Sequence, residues 1–306
     1  MADSLAGIVL AAGAGTRLAP LTDELPKALC PLGDRPLLDH ALAELGQAVQ
    51  RRAVNVHHGA PAIETHLRES PQQHPGDPVH LSHERAEALG TAGAVGALRG
   101  WLEGSDLVVL NADTWLPGTP GEAVSSLLGQ WDRERVAVLT GSAGEFGPRS
   151  SVLVSALPWT LARELPERPA GLWEAVWRSE VAAGRLQGIH SRGVGIDCGT
   201  PGRYLLANRL WGADPVRYTT PAEGRHTTVP GGWVHQSAIV DGAVSGSVVG
   251  AGVRVDGTVD SSVLWPGAQV HAGEHLTSAI RTPQRTVYVR TARRRGRVSP
   301  MGAADR

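Results

Sequence analysis

The sequence predicts a mixed α/β fold with a largely parallel sheet, followed by a short stack of β-coils. Two observations lead to this prediction. Apolar strand patterns alternate with amphipathic helix patterns through the first part of the chain, and a 15-residue repeat follows residue 228. Such alternation is typical of parallel sheets, and a fixed period is typical of stacked coils. A length of 306 residues suits one large domain or two smaller ones.

Five short apolar runs predict the strands of the sheet. They cover residues 6–12, 52–58, 78–84, 106–113 and 135–141. Helix patterns separate them, over residues 36–50, 60–70, 90–102 and 121–131. In the first helix pattern Leu38, Leu42 and Leu45 share one face, and Pro36 suits a first turn. Because ligands of such sheets bind at the carboxyl ends of the strands, we expect a functional site where the first and fourth strands end.

The repeat predicts a second architecture near the C-terminus. Two sets of apolar residues align among three segments of 15 residues: Val234, Val249 and Leu264, then Val240, Val255 and Val270. Their six-residue spacing, with Gly, Ala or Ser between, resembles the hexapeptide repeat of left-handed β-helices. We therefore expect an α/β domain over residues 1–228 and a left-handed β-helix over residues 229–280. A terminal strand and a non-periodic basic tail are expected over residues 281–306.

Composition excludes several classes of partner. The formal net charge is −1, and only 19% of the residues are charged, so no global field favours nucleic acid or an anionic membrane. No run of 18 apolar residues is present, and the first residues lack the basic region of a signal peptide. Two cysteines do not make a disulfide framework. We expect a cytoplasmic protein that acts on small molecules.

The stretch "LAAGAGTRLAPLTDELPKALCPLG", residues 10–33, has the features of a phosphate-binding loop. Gly13 and Gly15 follow a strand, and glycine lets backbone N–H groups approach phosphate oxygens. Leu18 stands where a dinucleotide fingerprint needs a small residue, and the Gly-Lys-Ser/Thr of a Walker loop is absent. Lys27 is the only lysine of the chain. Its place in this stretch suggests a function that needs a compact cation rather than the planar fork of arginine.

Four segments together resemble the motifs of the sugar-phosphate nucleotidylyltransferases. They are "LAAGAGTRLAPLT" with "PKALCPLGDRPLLDHAL", then "HERAEALGTAGAV", "VVLNADTW" and "GIDCGTPGRYLLAN". The resemblance is nearest to mannose-1-phosphate guanylyltransferase-like and N-acetylmuramate-1-phosphate uridylyltransferase-like enzymes, and it covers about residues 6–280. It implies a Rossmann-like nucleotidyltransferase domain that joins a sugar 1-phosphate to a nucleoside triphosphate and releases pyrophosphate. A C-terminal β-helix is a frequent appendage in this family.

The resemblance also implies a role for each matching residue. Arg17 and Lys27 would be the catalytic cations, with Lys27 at the α-phosphate. Asp113 and Asp197 would bind Mg²⁺. Asn111 and Arg149 would contact the sugar phosphate. The nucleotide would be bound by eight residues: Leu10, Ala11, Ala12, Gly13, Gly15, Thr16, Glu84 and Gly90.

One segment departs from the family pattern. The family usually has a Glu-Lys-Pro segment between the two aspartates, whose lysine binds the sugar phosphate, but here the region reads "GSAGEFGPRSS". Arg149 is the candidate replacement, although arginine and lysine are not equivalent at a phosphate site. We expect GTP as the nucleotide. UTP or another nucleotide with a modified sugar or cyclitol phosphate is the alternative, and a non-catalytic nucleotide-sugar-binding regulator is a third reading. We also expect a homo-oligomer formed through the β-helix, because open coils leave edges that a partner can cover.

Overall fold

The structure is a computed structural model that describes residues 4–70, 78–141, 146–191, 195–214 and 227–290. In chain order, the strands before residue 200 are β1 (Leu5–Leu10), β2 (Pro31–Leu32), β3 (Arg35–Pro36), β4 (Arg51–Val56), β5 (His80–His83), β6 (Asp106–Asn111), β7 (Thr114–Trp115), β8 (Ala137–Thr140), β9 (Val152–Leu157), β10 (Gln187–His190) and β11 (Ile196–Asp197). The helices are α1 (Leu37–Gly46), α2 (Ala60–Glu69), α3 (Gly90–Ala97), α4 (Arg99–Leu102), α5 (Glu122–Leu128), α6 (Trp159–Ala162), α7 (Arg178–Ala182) and α8 (Pro201–Ala213). A π-helical turn, Trp173–Trp177, precedes α7.

The central sheet has seven strands in the order β10-β8-β9-β6-β1-β4-β5. All its neighbours pair in parallel except β9, which runs antiparallel to both β6 and β8. Successive residues of one strand enter different apolar clusters: Val9 packs in one, Ile8 in the other, and both are fully buried. The alternation means that each face of the sheet is covered. The predicted α/β fold with a mostly parallel sheet is confirmed.

The chain from β1 to α1 crosses the carboxyl end of the sheet in three short 3₁₀ turns. They are Thr16–Leu18, Leu21–Asp23 and Lys27–Leu29. Leu18, Leu21 and Leu29 are buried, so the turns are fixed by packing rather than by regular hydrogen bonding. This segment carries Arg17 and Lys27 over the ends of the strands.

The C-terminal strands fit the predicted β-helix. They are β12 (Thr227–Val229), β13 (Gly232–Val234), β14 (Ile239–Val240), β15 (Ala243–Ser245), β16 (Val248–Val249), β17 (Arg254–Val255), β18 (Thr258–Asp260), β19 (Val263–Leu264), β20 (Gln269–Val270), β21 (His275–Thr277), β22 (Ala279–Arg281) and β23 (Thr286–Tyr288). Three parallel ladders form: β13-β16-β19-β22, β14-β17-β20 and β15-β18-β21. The two sets of residues aligned in the sequence pair as expected, Val234 with Val249 and Leu264, and Val240 with Val255 and Val270.

The last coil differs from the 15-residue period. Val263 pairs with Ile280, and Val259 pairs with Leu276, a spacing of 17 residues in both cases. Val255 still pairs with Val270 at a spacing of 15 residues, so the two extra residues lie between β20 and β21, in the turn that contains Gly273 with φ 80°. The insertion is therefore accommodated in a turn rather than in the ladder. Strand β23 then reverses and pairs antiparallel with β22, which covers one edge of the stack.

The β-helix and the α/β part share one apolar core. Trp211 of α8 lies edge-on to Trp233 of β13, with ring centroids 5.1 Å apart. Tyr204 of α8 accepts a hydrogen bond from Trp265 Nε1 (2.9 Å) and donates one to the carbonyl of Pro31. All three tryptophans are almost completely buried. Helix α8 thus joins the coils to the segment that leads away from Lys27.

Candidate active site

A cavity of about 540 Å³ lies at the carboxyl ends of β1 and β6. Twelve of the residues predicted for the site line it: Leu10, Ala11, Ala12, Gly13, Gly15, Thr16, Arg17, Lys27, Gly90, Asn111, Asp113 and Asp197. They come from segments far apart in sequence, which the parallel pairing of β1 with β6 and the β7–β11 ladder bring together. Its volume lies within the usual range for small-molecule pockets, about 300–1,000 Å³.

Asp113 and Asp197 converge because two short strands pair. Strand β11 runs antiparallel to β7, with Asp197 opposite Thr114, and Cys198 N–H donates to the carbonyl of Asp113 (2.8 Å). Lys27 Nζ contacts Asp113 Oδ2 and lies 3.9 Å from Asp197 Oδ1. Arg17 Nη2 lies 3.6 Å from Asp197 Oδ2. Two cations and two carboxylates therefore meet at one end of the cavity.

Lys27 is held closely, whereas Arg17 is open to solvent. The side chain of Lys27 is 10% exposed and that of Arg17 is 67% exposed. Gly15 has φ 65°, and a Cβ there would stand 2.9 Å from Lys27 Cβ. Glycine is needed for both reasons, the left-handed backbone and the close approach of the lysine stem. The single lysine is therefore directed to one position between the carboxylates.

Gly199 is a wall residue that the sequence reasoning did not select. A Cβ on Gly199 would stand 2.6 Å from Asp197 Oδ1, 2.8 Å from Arg17 Nη2 and 3.1 Å from Lys27 Nζ. Its N–H donates to Asp197 Oδ1 (2.7 Å), which fixes that carboxylate from behind. In the sequence this position is only the glycine of "DCGTP". The structure was needed to show that it lies close to three charged groups.

The opposite end of the cavity is built on a buried hydrogen-bond chain. Ala11 N–H donates to Asn55 Oδ1 (2.8 Å), and Asn55 Nδ2 donates to Glu84 Oε1 (2.6 Å). Glu84 Oε2 accepts from Leu89 N–H (2.7 Å). Glu84 is 3% exposed and does not itself line the cavity, so it acts on the wall through Asn55 and Leu89. The sequence analysis missed Asn55; its signal was a polar residue within the apolar strand "RAVNV".

Helix α3 begins at this end of the cavity. Gly90, its first residue, has φ 67°, and a Cβ there would approach the carbonyl of Ala170 to 2.7 Å. The same carbonyl accepts Ala92 N–H (2.9 Å), and Thr91 Oγ1 accepts Leu172 N–H (2.8 Å). Both Gly90 and Thr91 line the cavity. The start of α3 is thus braced by the segment before the π-helical turn.

Arg149 and the two cysteines lie near the cavity but do not line it. Arg149 is exposed in the turn before β9 and lies outside the wall, whereas Ser151 and Val152, just after it, line the cavity. Cys30 and Cys198 are fully buried. Burial raises the pKa of the Cys30 thiol to about 12 and raises that of Cys198 further. Neither thiol can act as a thiolate near neutral pH.

The carboxylate pair has the donor set that Mg²⁺ accepts. Magnesium in proteins is commonly held by one or two carboxylates, with phosphate oxygens and water completing its six ligands. Within the described ranges, no cluster of three or more His, Cys, Asp or Glu side chains could hold a metal alone. Asp113 and Asp197 therefore fit a metal that arrives with a phosphate substrate better than a resident structural metal.

Comparison with known proteins agrees with this geometry. A sequence profile described as the MobA-like NTP transferase domain matches residues 7–191. The chain belongs to this family. N-acetylmuramate alpha-1-phosphate uridylyltransferase of Caulobacter vibrioides is 31% identical over 228 residues, which cover 65% of this chain and 94% of that enzyme. The catalytic subunit beta of mannose-1-phosphate guanylyltransferase from Danio rerio is 26% identical over 241 residues, 70% of this chain and 66% of that subunit.

Solved structures show the same fold. A UDP-glucose pyrophosphorylase from Acinetobacter baumanii superposes with a TM-score of 0.57 at 16% identity, over 70% of this chain and 95% of that one. HddC from Yersinia pseudotuberculosis superposes with a TM-score of 0.55 at 18% identity, over 67% and 99%. The sugar-phosphate nucleotidyltransferase family expected from the four motifs is confirmed. Among the described helices, none has the length and apolar character needed to cross a bilayer.

Proposed function

We propose that this member of the MobA-like NTP transferase family transfers a nucleotidyl group from a nucleoside triphosphate to a sugar 1-phosphate. The supporting observation is the convergence of Lys27, Arg17, Asp113 and Asp197 at one end of a cavity of about 540 Å³. The sugar phosphate oxygen attacks the α-phosphorus, and the bond from that phosphorus to the β-phosphate oxygen breaks. The products are an NDP-sugar and pyrophosphate.

This reaction needs cations more than it needs a base. The second pKa of a phosphate monoester is ≈ 6, so the nucleophile is already an anion near neutral pH. The protein must hold two anionic substrates in line and neutralise the charge that builds up between them. Lys27 supplies a compact charge at the α-phosphate, and exposed Arg17 can turn towards the leaving phosphates. The buried thiols take no part.

We include Mg²⁺ in the proposal, held by Asp113 and Asp197. When bound, the ion would neutralise phosphate oxygens and help to fix their orientation. The chain's own part is to present both carboxylates on the β7–β11 ladder and to steady Asp197 with the N–H of Gly199. Lys27 Nζ, which lies between the two aspartates, would be the residue of this chain that contacts the α-phosphate.

For the base, we propose GTP, with UTP as the second candidate. The guanylyltransferase match extends over more of this chain, 70% against 65%, and supports GTP. The uridylyltransferase match has the higher identity, 31%, and spans 94% of that enzyme, and it supports UTP. In either case the base is proposed to lie on Leu10 and Ala11, over the Asn55–Glu84 chain and beside Gly90.

For the acceptor, we propose that Asn111 and Arg149 bind the sugar phosphate. Asn111 ends β6 and lines the cavity. Arg149 is exposed two residues before Ser151, which also lines the cavity, and this proximity in sequence supports its assignment. The arginine would replace the lysine of the family's Glu-Lys-Pro segment. A cytoplasmic location is part of the proposal and accords with two free cysteines.

We also propose a homo-oligomer formed through the β-helix. Among the described residues, β14 and β15 are each an end strand of their ladder. Ile239 and Val240 on β14 are 52% and 37% exposed, so two large apolar side chains lie next to each other in sequence at the surface of this end strand. Static light scattering on the wild type and on an Ile239→Ser, Val240→Ser variant tests this. A monomer at high micromolar concentration in both proteins contradicts it.

A pyrophosphate-release assay with five nucleoside triphosphates and a panel of sugar 1-phosphates tests the proposed reaction. We expect release only with one preferred pair and only with Mg²⁺ or Mn²⁺ present. Asp113→Asn and Asp197→Asn should each lower kcat about 10²-fold or more. Asp241→Asn, which alters an exposed ion pair on the β-helix, is the matched control. Nucleotide-sugar binding without turnover would favour the regulatory alternative, and full activity in excess EDTA would refute the metal assignment.

A further inference from the structure

A second cavity, of about 410 Å³, lies between the segment that carries Lys27 and the β-helix. Leu25, Leu29 and Pro36 form one wall, and Trp233, Trp265 and Pro266 form the other. Its volume is three quarters of that of the active-site cavity and lies within the range of small-molecule pockets. Such pockets occur preferentially where two parts of a fold meet, as these do.

The charged side chains of this second cavity are already paired within the protein. Glu24 Oε1 accepts a hydrogen bond from Thr282 Oγ1 (2.7 Å) and forms an ion pair with Arg285 Nε (2.8 Å). Arg35 Nε contacts Asp34 Oδ1 (3.2 Å). A charged ligand would therefore lose its hydration without gaining a free counter-charge from these groups.

The remaining surface is largely apolar. Leu25, Pro36 and Pro266 contribute to the walls, whereas Trp233 and Trp265 are only 3% and 2% exposed and present little of their rings. His235, also in the wall, accepts Ser237 N–H at Nδ1 (3.1 Å), so this ring nitrogen is already engaged within the protein. We propose that this cavity binds an uncharged, largely apolar compound, at a site separate from the active-site cavity.

A ligand in this cavity should change how readily Lys27 reacts. Leu25 and Leu29 lie on either side of Lys27 in sequence, and the 3₁₀ turn Lys27–Leu29 is closed by Leu29 N–H to the Pro26 carbonyl (2.8 Å). A ligand in contact with both leucines should stabilise this turn, and with it the position of Lys27 between the aspartates. This effect requires no nucleotide chemistry, so it can succeed or fail independently of the proposed reaction.

Ligand-observed saturation-transfer NMR on the full chain tests the binding, with indole as the probe. We expect saturable binding of indole, and binding of indole-3-acetate, the same ring with a negative charge, about tenfold weaker or more. Ala251→Leu adds bulk to a wall residue and should weaken indole binding about tenfold or more. Ala183→Leu, at an exposed position after α7, should leave it unchanged. No binding of indole, or equal binding of the two probes, overturns the proposal.

The single lysine supplies a second readout. Saturating indole should slow acylation of Lys27, followed by mass spectrometry, about threefold or more, with the N-terminal amine as internal reference. The effect should disappear in Ala251→Leu and persist in Ala183→Leu. If Ala251→Leu does not fold, the comparison of indole with indole-3-acetate on the wild type still decides between the outcomes. Equal labelling rates with and without bound indole overturn the coupling to Lys27.

Discussion

Lys27 meets its surroundings through backbone, stem and charge. Its carbonyl accepts Cys30 N–H in the 3₁₀ turn, its Cβ lies against Gly15, and its Nζ contacts both aspartates. A point charge on a flexible stem fits this restricted space, whereas a guanidinium is broad and planar. Gly199 matters for the opposite reason: the site needs a residue without a side chain at this position.

Gly199→Ala should lower kcat strongly without unfolding the protein. The backbone of Gly199 is not in the left-handed region, so alanine fits the main chain, but its Cβ would displace Asp197, Arg17 or Lys27. A misplacement of about 1 Å at a reacting centre can cost on the order of 10² in rate, and we expect a loss of that size in kcat for pyrophosphate release. Gly100→Ala is the control, because a Cβ there meets nothing within 4 Å. Equal kcat for the two variants would show that the space at Gly199 is not needed.

At this scale the sequence predicts which residues belong to the site, but not which of them contact the cavity. Motif resemblance placed twelve residues that line the cavity, because phosphate chemistry restricts which residue types can be used. It also placed Glu84 at the nucleotide, although that carboxylate is buried behind Asn55. Whether a polar residue faces the cavity or supports another residue depends on strand register, which a single sequence does not reveal.

At the scale of elements, a hydrogen bond between His66 and Asp39 joins helices α1 and α2. His66 Nε2 of α2 contacts Asp39 Oδ1 of α1 at 2.7 Å, and Asp39 is 1% exposed. The hydrogen bond to Asp39 raises the pKa of His66 above its ordinary value of 6.5. A raised folded-state pKa contributes stability that is complete below the ordinary value and is lost as pH rises through the raised one.

His66→Gln should therefore destabilise the protein in a pH-dependent way. We expect the difference in free energy of unfolding between wild type and variant to be largest below pH 6.5 and to shrink as pH rises above it. Buried His40, whose pKa is lowered mainly by desolvation, has the opposite dependence but is common to both proteins and cancels in the difference. Urea titrations at several pH values measure this, with His271→Gln on an exposed turn as control. A difference in free energy of unfolding that stays constant across this pH range would contradict a stabilising hydrogen bond from protonated His66 to Asp39.

Elements with a strong local pattern were predictable, and those set by long-range packing were not. The buried parallel strands and the 15-residue coils follow from apolar periodicity alone. The antiparallel strand β9 was not foreseen, because its direction is set by pairing with β6 and β8, which a single sequence does not reveal. The 17-residue last coil was missed because turns absorb insertions without changing the apolar positions that pair.

For the whole molecule, the apolar core crosses the predicted boundary at residue 228. One cluster contains residues from both sides: Leu18, Cys30, Tyr204, Trp211, Trp233, Trp265 and Ile280, among others. Gly33 packs so closely on Trp211 that a Cβ there would stand 2.2 Å from the indole. Separating the β-helix from the α/β part would expose these side chains, so the two parts depend on each other for stability.

Calorimetry should accordingly show one unfolding transition for the whole chain. Trp265→Ala leaves a cavity and removes the hydrogen bond to Tyr204, and we expect a loss of about 3–5 kcal/mol in stability with the transition still single. Tyr288→Ala, at a side chain that is 65% exposed, should change little. Two separate transitions in the wild type would show that the β-helix and the α/β part are independent folding units.

The most direct test of the proposed function is kcat for pyrophosphate release by Lys27→Arg, measured beside wild type with the preferred substrate pair. If Lys27 acts as a compact cation at the α-phosphate, arginine places its charge about 1 Å or more out of position, and kcat should fall on the order of 10²-fold. The unfolding temperature of the variant, measured beside kcat, must lie above the assay temperature, so that a loss of activity reports on the site and not on unfolding. A Lys27→Arg protein with wild-type kcat would contradict the account of why the chain's only lysine lies between Asp113 and Asp197.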